Sequence, residues 1–292
     1  MTLAAPFVFL TGGSGFLGGT VSRVLEANGV NVLRTQGRDP NNSPENYLDI
    51  RNLGVDEIAA KLARDRCAVT LHFATSFTHD THPSAAEIVC ASNFSFAVKV
   101  AEASALAGVG TFLNVASTWE WIRSQNPTYK TALTPYSASK QAFRTYLDHR
   151  FGSTGFIKNL VIEESLGEGD TREKLIPKLI TAGLMGEEFH VRDPKAKMNF
   201  ADATGLANFL LDNLEDLSSL PNVFGYADYR EVPISTIIDE LRKIGLQILL
   251  ANSGESDEGL TTRVTLQSLR IPIYSQSDRT LGETLLSISR SS

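Results

Sequence analysis

The stretch Phe7-Val8-Phe9-Leu10-Thr11-Gly12-Gly13-Ser14-Gly15-Phe16-Leu17-Gly18 constrains the fold more than any other part of the chain. A short apolar run meets a glycine-rich turn, and Leu17, Val21, Val24 and Leu25 then share one face of a helical repeat. The order is strand, tight loop, helix. The first backbone N–H groups of a helix lack intrahelical partners and lie at the positive end of its dipole, which suits an anionic pyrophosphate. Gly12, Gly15 and Gly18 divide the work among the turn, the approach of backbone to phosphate, and the packing of helix on strand. Their spacing, Gly-x-x-Gly-x-x-Gly, differs from the Gly-x-Gly-x-x-Gly of the common dinucleotide fingerprint. Placement at the first strand, directly before a helix, favours dinucleotide binding over a plain glycine-rich turn. Ser14, Phe16 and Leu17 count with the three glycines as cofactor-binding candidates.

Val30 to Arg34 reads as the second strand, and the residues after it bear on the choice between NAD and NADP. They are Thr35-Gln36-Gly37-Arg38, with no carboxylate to repel a 2′-phosphate. Arg38, with Arg34 beside it, could pair with such a phosphate or be a loop charge. The expectation is NADP(H), with NAD(H) left open. Asp49, followed by Ile50, could accept from an adenine amino group or cap the helix that starts near Val55. Ala68 to Ala74 is a continuous apolar strand of the kind buried in a parallel sheet, which makes His72 a satisfied core histidine. His79 and His82 lie in a polar loop with no ligand-spaced cluster, and no metal site is expected. Ala85 to Leu106 is helical, with Ile88, Val89, Phe96, Val100 and Ala103 available for a buried stripe. Asn93 inside it is either a surface residue or a buried polar hub.

Thr111 to Ala116 is a further strand, running into Ser117-Thr118-Trp119-Glu120-Trp121. Its hydroxyls lie at a strand's C-terminal end, where open α/β sheets place their ligands. Tyr136 and Lys140 follow, four residues apart and so on one helical face. A cation beside a phenol favours the phenolate, which would make Tyr136 an acid or base near neutrality.

Gly12-x-x-Gly15-x-x-Gly18, then Ser117 and Thr118, then Tyr136-x-x-x-Lys140 resemble the extended short-chain dehydrogenase/reductase superfamily, and within it the NAD(P)-dependent epimerase/dehydratase branch. Asn114 to Trp119, Tyr136 to Phe143 and Leu166 to Pro177 are similar to the CDP-abequose and CDP-paratose synthase-like nucleotide-sugar 4-ketoreductases. The resemblance implies that Tyr136 is the proton donor and that Lys140 lowers its pKa and holds the nicotinamide ribose. It implies that Thr118, with Ser117 as the alternative, bonds the substrate oxygen beside Trp119. Asn93 would order the active-site end of the cofactor cleft, Asp49 and Ile50 would hold the adenine, and His72, Phe73, Ala74 and Thr75 would line the cofactor. Arg172, Lys174 and Arg192 could neutralise a substrate diphosphate or be solvated charges, and the resemblance favours the first role for Arg172 and Lys174. Dehydratases of this branch carry Asp-Glu after the catalytic Thr. Here Trp119-Glu120 follows, which disfavours dehydration. The Asp-Asp of the branch is also missing from Asn199 to Thr204.

A chain of 292 residues, 42% hydrophobic and 21% charged, can hold one large α/β domain with a smaller lobe. The net charge of −6, without a basic block, speaks against a nucleic-acid binder. Two cysteines, Cys67 and Cys90, make no disulfide framework and read as buried small hydrophobes. No apolar segment approaches a membrane span, and a cytoplasmic location is expected. The expected fold is a Rossmann-type doubly wound parallel sheet over residues 1–158. Residues 159–292 would form mainly a smaller substrate-binding lobe, with segments returning to the sheet. The expected function is NADPH-dependent reduction of a CDP- or dTDP-linked 4-keto-6-deoxyhexose by a homodimer. The alternatives are a nucleotide-sugar 4-epimerase with tightly bound NAD, and a non-catalytic NADP-binding sensor or scaffold.

Overall fold

A computed structural model describes residues 7–35, 47–78, 82–121, 134–191, 193–250 and 264–291. Its centre is an eight-stranded, wholly parallel sheet. In chain order the first five strands are β1 (Phe7–Thr11), β2 (Asn31–Thr35), β3 (Tyr47–Leu48), β4 (Cys67–His72) and β5 (Thr111–Ser117). They are joined by β6 (Ile157–Ile162), β10 (Val223–Tyr226) and β13 (Ile273–Tyr274). The spatial order, β13-β10-β6-β5-β4-β1-β2-β3, reverses direction between β1 and β4. Open parallel sheets of this kind bind their ligands in the crevice that such a reversal opens at the strands' C-terminal ends.

Apolar strands buried on both faces need helices on both sides. Helix α1 (Phe16–Ala27) lies on one side, where Val21 and Leu25 pack with Leu206 and Leu210 of α7 (Ala203–Asp212). On the other side, α2 (Val55–Arg64), α4 (Ala97–Leu106) and α5 (Pro135–Phe151) bury Ile58, Leu62, Val100, Phe143 and Leu147. Strand β6 crosses the boundary expected at residue 158, because Leu160, Val161 and Ile162 continue the buried apolar run. β10 and β13 return to the sheet, as the sequence suggests.

The helix expected over 85–106 has three parts: α3 (Pro83–Cys90), a π-helical turn (Ala91–Phe96) and α4. A π turn inserts one residue per turn and rotates the face that follows. Val89, Val100 and Ala103 are buried while Ile88 is 60% exposed at the cleft. Cys90, on the same helix, is exposed, contrary to its expected burial. Cys67 is buried, and desolvation pushes its thiol up to about 12.

The second core belongs to the lobe. β7 (Glu164–Leu166), β9 (Lys197–Asp202) and β11 (Tyr229–Pro233) form a mixed three-stranded sheet. Against it pack α6 (Leu175–Met185), α8 (Ile234–Lys243) and α9 (Leu281–Ser291), through Leu179, Ile180, Ile237, Leu241, Leu285 and Ile288. β8 (Glu188–Phe189) and β12 (Leu249–Leu250) pair in parallel at its edge. Asp202 ends β9 and caps α7, accepting from the N–H groups of Thr204 at 2.8 Å and Gly205 at 3.1 Å. Thr284 of α9 donates to the same carboxylate at 2.8 Å, fastening the C-terminal helix to the sheet junction. Among the described residues, no helix is long and apolar enough to cross a membrane.

Candidate active site

The glycine loop closes as its spacing requires. Gly12 has φ +76°, and a Cβ there would stand 2.5 Å from the Ala74 nitrogen. A Cβ on Gly18 would stand 2.4 Å from the Gly12 oxygen, so only glycine lets α1 approach β1 this closely. Gly15 is the N-cap of α1 and supplies no side-chain cap, leaving first-turn N–H groups for a ligand. A cleft of about 1330 Å³ opens beside them. Gly12, Ser14, Gly15, Phe16, Leu17 and Gly18 line one wall, with Phe73, Ala74 and Thr75 after β4. Ser117, Trp119, Tyr136 and Lys140 line the floor, and Arg172 and Lys174 come from the lobe. Thr35, at the end of β2, also reaches the cleft.

Asn93 is the buried hub rather than a surface residue, only 1% exposed. Its Oδ1 accepts from the Ser76 N–H at 2.7 Å and the Thr75 hydroxyl at 3.1 Å. Its Nδ2 donates to the Ser76 carbonyl at 2.9 Å and to Ser139 Oγ at 3.2 Å. Ser139 in turn donates to the Tyr136 carbonyl at 2.9 Å. One amide thus ties the loop after β4 to the helix that carries Tyr136, and the π turn holds it there.

Tyr136 sits in the first turn of α5. Pro135 opens that helix and Thr134 Oγ1 accepts the Ser137 N–H at 3.2 Å. Phe77 meets the Tyr136 ring edge to face at 5.1 Å. Of the two neighbouring hydroxyls it is Ser117 that lines the cleft with Tyr136 and favours its ionised form. Thr118, the expected partner, starts a short 3-10 turn (Thr118–Trp121), is 2% exposed and does not line the cleft. The turn rotates the two neighbouring hydroxyls in opposite directions, and the one facing the site is Ser117.

Lys140 is 4% exposed; its Nζ donates to the Val115 carbonyl at 2.8 Å and lies 3.7 Å from Glu120 Oε1. Burial pulls its pKa down and Glu120 opposes that pull. The expected lowering of the Tyr136 pKa is not what this environment produces. Burial first, then the Glu120 charge, hold the phenol above its ordinary value, while Ser117 and Arg172 act the other way. Tyr136 is a protonated phenol throughout the neutral range.

His72 belongs to the core, not the cleft. Its Nδ1 pairs with Thr11 Oγ1 at 2.8 Å among Phe96, Phe112 and Phe143, and burial drives its pKa to about 3. Asp49 pairs with Arg51 at 2.8 and 2.6 Å, which draws its pKa to about 2. It does not cap α2. That helix begins at Gly54, whose N–H donates to Glu57 at 2.7 Å. Ile50 is in the core, and neither Asp49 nor Ile50 lines the cleft.

Arg172 and Lys174 line the cleft, but their charges are matched within the chain. Arg172 grips both Asp170 oxygens at 2.6 Å, reaches Ser165 and stacks on Phe16 at 4.5 Å. Lys174 donates to Glu164 at 3.0 Å. Both are thus engaged within the chain, where the resemblance has them neutralise a substrate diphosphate. Arg38, Arg192 and His79 lie outside the described residues. His82 caps α3, accepting from the Ser84 N–H at 3.3 Å.

The sequence reading missed three cleft or floor residues: Phe77, Glu163 and Glu120. Glu163 is buried at the lobe side, accepting from Asn199 Nδ2 at 2.7 Å and the Leu266 N–H at 3.2 Å. Glu120, 0% exposed, had one legible signal: a carboxylate between two tryptophans.

Comparison with known proteins adds to this geometry. The model of the NAD dependent epimerase/dehydratase family matches residues 8–224. A CDP-abequose synthase of Yersinia pseudotuberculosis is 22% identical over 203 residues, covering 66% of this chain and 67% of that protein. The UDP-glucose 4-epimerase of Thermotoga maritima, solved with UDP-glucose, superposes with a TM-score of 0.72 at 17% identity, covering 98% of both chains. That of Thermus thermophilus, solved with NAD, gives 0.70 at 18%, again covering 98% of both. The NAD-dependent NDP-hexosamine 5,6-dehydratase TunA gives 0.73 at 18%, covering 98% of this chain and 97% of its own.

Proposed function

This chain belongs to the NAD dependent epimerase/dehydratase family, and from that premise we propose that it reduces the keto group of a nucleotide-linked 4-keto-6-deoxyhexose with NADPH. The observation that carries the reading is the convergence of Ser117, Tyr136 and Lys140 on the floor of the cleft that the glycine loop opens. A phenol beside a hydroxyl is suited to donate a proton to a forming alkoxide. Trp119 stands where dehydratases of this family carry an acid, so the machinery for eliminating water is incomplete. The similarity to a CDP-abequose synthase supports the substrate class.

The cleft fits a dinucleotide on its own geometry, since the cradle at Gly12 and Gly18 is one that a Cβ would fill. The N–H groups at the start of α1 would hold the pyrophosphate, with Thr75 and Asn93 shaping the opposite wall. Thr35 stands at the end of β2 where NAD-specific sites place an acid. Arg34 beside it is paired with Glu26 at 3.3 Å and stacks on Tyr47 at 4.6 Å, so the support for NADP(H) comes from Thr35. When bound, a reduced nicotinamide supplies the hydride. Tyr136 gives its proton to the substrate oxygen, Ser117 donates a hydrogen bond to the same oxygen, and Lys140 holds the cofactor's ribose side. Orientation and a polarised oxygen are the two contributions these side chains make.

Purified protein supplied with NADPH or NADH and with CDP- or dTDP-4-keto-6-deoxyglucose tests the reading. Consumption of NADPH with one of the sugars is expected. Interconversion of UDP- or CDP-hexoses with no net cofactor use would instead make the chain a 4-epimerase. Tight cofactor binding with no turnover of any sugar would make it a sensor or scaffold.

A further inference from the structure

Beneath the Ser117–Tyr136–Lys140 set lies a carboxylate that the reduction as described does not use. Glu120 is fully buried. Its Oε1 accepts the Ser117 N–H at 2.9 Å and stands 3.7 Å from Lys140 Nζ. Among the described residues its Oε2 has no hydrogen-bond partner, and it lies 3.8 Å from Arg144 Nε, which likewise has none among them. Arg144 is held in place by Asp148 at 3.3 Å and by stacking on Trp121 at 4.5 Å. A buried carboxylate with an oxygen left unpaired is an expensive way to hold a turn, since an amide of the same shape would accept the same Ser117 N–H. What only the carboxylate supplies is charge, which burial opposes and Lys140, the Ser117 N–H and Arg144 favour.

We propose that Glu120 is a positioning residue for the reduction: a buried counter-charge that holds Lys140 and the Ser117 turn from behind the reacting phenol. The proposal rests on the reductase reading. Arg144 anchors the far side of this counter-charge, so that Lys140, Glu120 and Arg144 form a cation–anion–cation row behind the reacting phenol. An anion close behind a phenol disfavours the phenolate. The other charged groups facing Tyr136 are Glu164 and Arg172. Lys140 also faces His72, which is neutral, and Asp148 faces only Arg144. Substituting Glu120 leaves all of these in place.

Glu120→Gln keeps the shape and the acceptor for Ser117 while removing the charge. Two measurements test it. The first needs no substrate: the phenolate absorbance of Tyr136 across alkaline pH, taken as the difference between each protein and its counterpart carrying Tyr136→Phe. In Glu120→Gln this titration is expected about one pH unit lower than in the native chain. The second is the basic limb of kcat/KM for reduction, where the pair of Tyr136 and Lys140 titrates together. It is expected to move down by a similar amount, with KM for NADPH nearly unchanged. If Glu120→Gln does not fold, Glu120→Asp withdraws the charge by one methylene and must move the phenol titration the same way by a smaller amount. A titration that stays fixed or moves up in a folded variant overturns the proposal, even if the enzyme proves to be a reductase. A chain that reduces no sugar overturns the function while leaving the phenol titration to be read.

Discussion

Ser117 and Thr118 are neighbouring hydroxyls with different fates, and the difference is measurable. Ser117→Ala removes the hydroxyl beside the phenol and is expected to lower kcat roughly 10- to 100-fold with little change in thermal midpoint. Thr118→Val keeps a buried β-branched shape and is expected to leave kcat within about threefold; steady-state kinetics on the two variants separates them. His72 gives a prediction of another kind. Its pKa is about 3 in the fold against 6.5 for an ordinary histidine, so the unfolded chain takes up the proton first as pH falls. The stability tied to its neutral ring is fully present above pH 6.5 and is lost as pH drops toward 3, at up to about 1.4 kcal/mol per pH unit. Urea unfolding of the native chain and of His72→Asn between neutral and acid pH is expected to show a shallower acid slope in the variant. What the sequence displayed at this scale were residues whose chemistry is local: the three glycines, Tyr136 and Lys140. The choice between Ser117 and Thr118 depended on a 3-10 turn that no spacing announces. The internal partners of Arg172 and Lys174 come from Asp170 and Glu164, and a list of cations cannot reveal that pairing.

At the scale of elements, the junction of β1, the glycine loop and α1 positions the cleft. Gly18→Ala would press a methyl into the Gly12 carbonyl, with no flexible side chain able to yield. The expected cost is about 1–3 kcal/mol in stability, from overpacking, together with a loss of at least about tenfold in NADPH affinity. Denaturant unfolding and fluorescence titration of the cofactor measure the two effects. The helix from Pro83 to Leu106 shows where an amphipathic pattern misleads. Its periodicity is real, but the π turn at Ala91–Phe96 changes phase midway. Asn93, inside that turn, points inward to four hydrogen bonds, and Ile88, before it, is exposed at the cleft. An insertion of one residue per turn leaves no compositional mark, so the helix was legible and its kink was not.

For the molecule as a whole, two cores are joined by few, strongly polar fastenings. The sheet core was readable from runs such as Phe7–Leu10 and Ala68–Ala74. The arrangement of the lobe's sheet was not, because its strands are short and its core draws on segments from Leu166 to Ile288. Helix α9 is the fastening at the end of the chain: Leu285 and Ile288 are buried in the lobe and Thr284 bonds Asp202. Removing residues 281–291 is expected to cost roughly 3–6 kcal/mol from the two apolar side chains alone. It is also expected to abolish sugar reduction while NADPH binding at the glycine loop survives in part. Calorimetry and cofactor titration on the shortened chain distinguish loss of the lobe from loss of the whole fold.

The central claim is net hydride delivery to a sugar carbonyl, and isotope transfer tests it most directly. NADPH deuterated at the transferable position of its nicotinamide ring, incubated with CDP- or dTDP-4-keto-6-deoxyglucose, is expected to yield a sugar carrying one deuterium at carbon four for each cofactor oxidised. The same incubation with Tyr136→Phe is expected to yield almost none. A sugar product that carries no deuterium while the cofactor is recovered unoxidised would contradict the account.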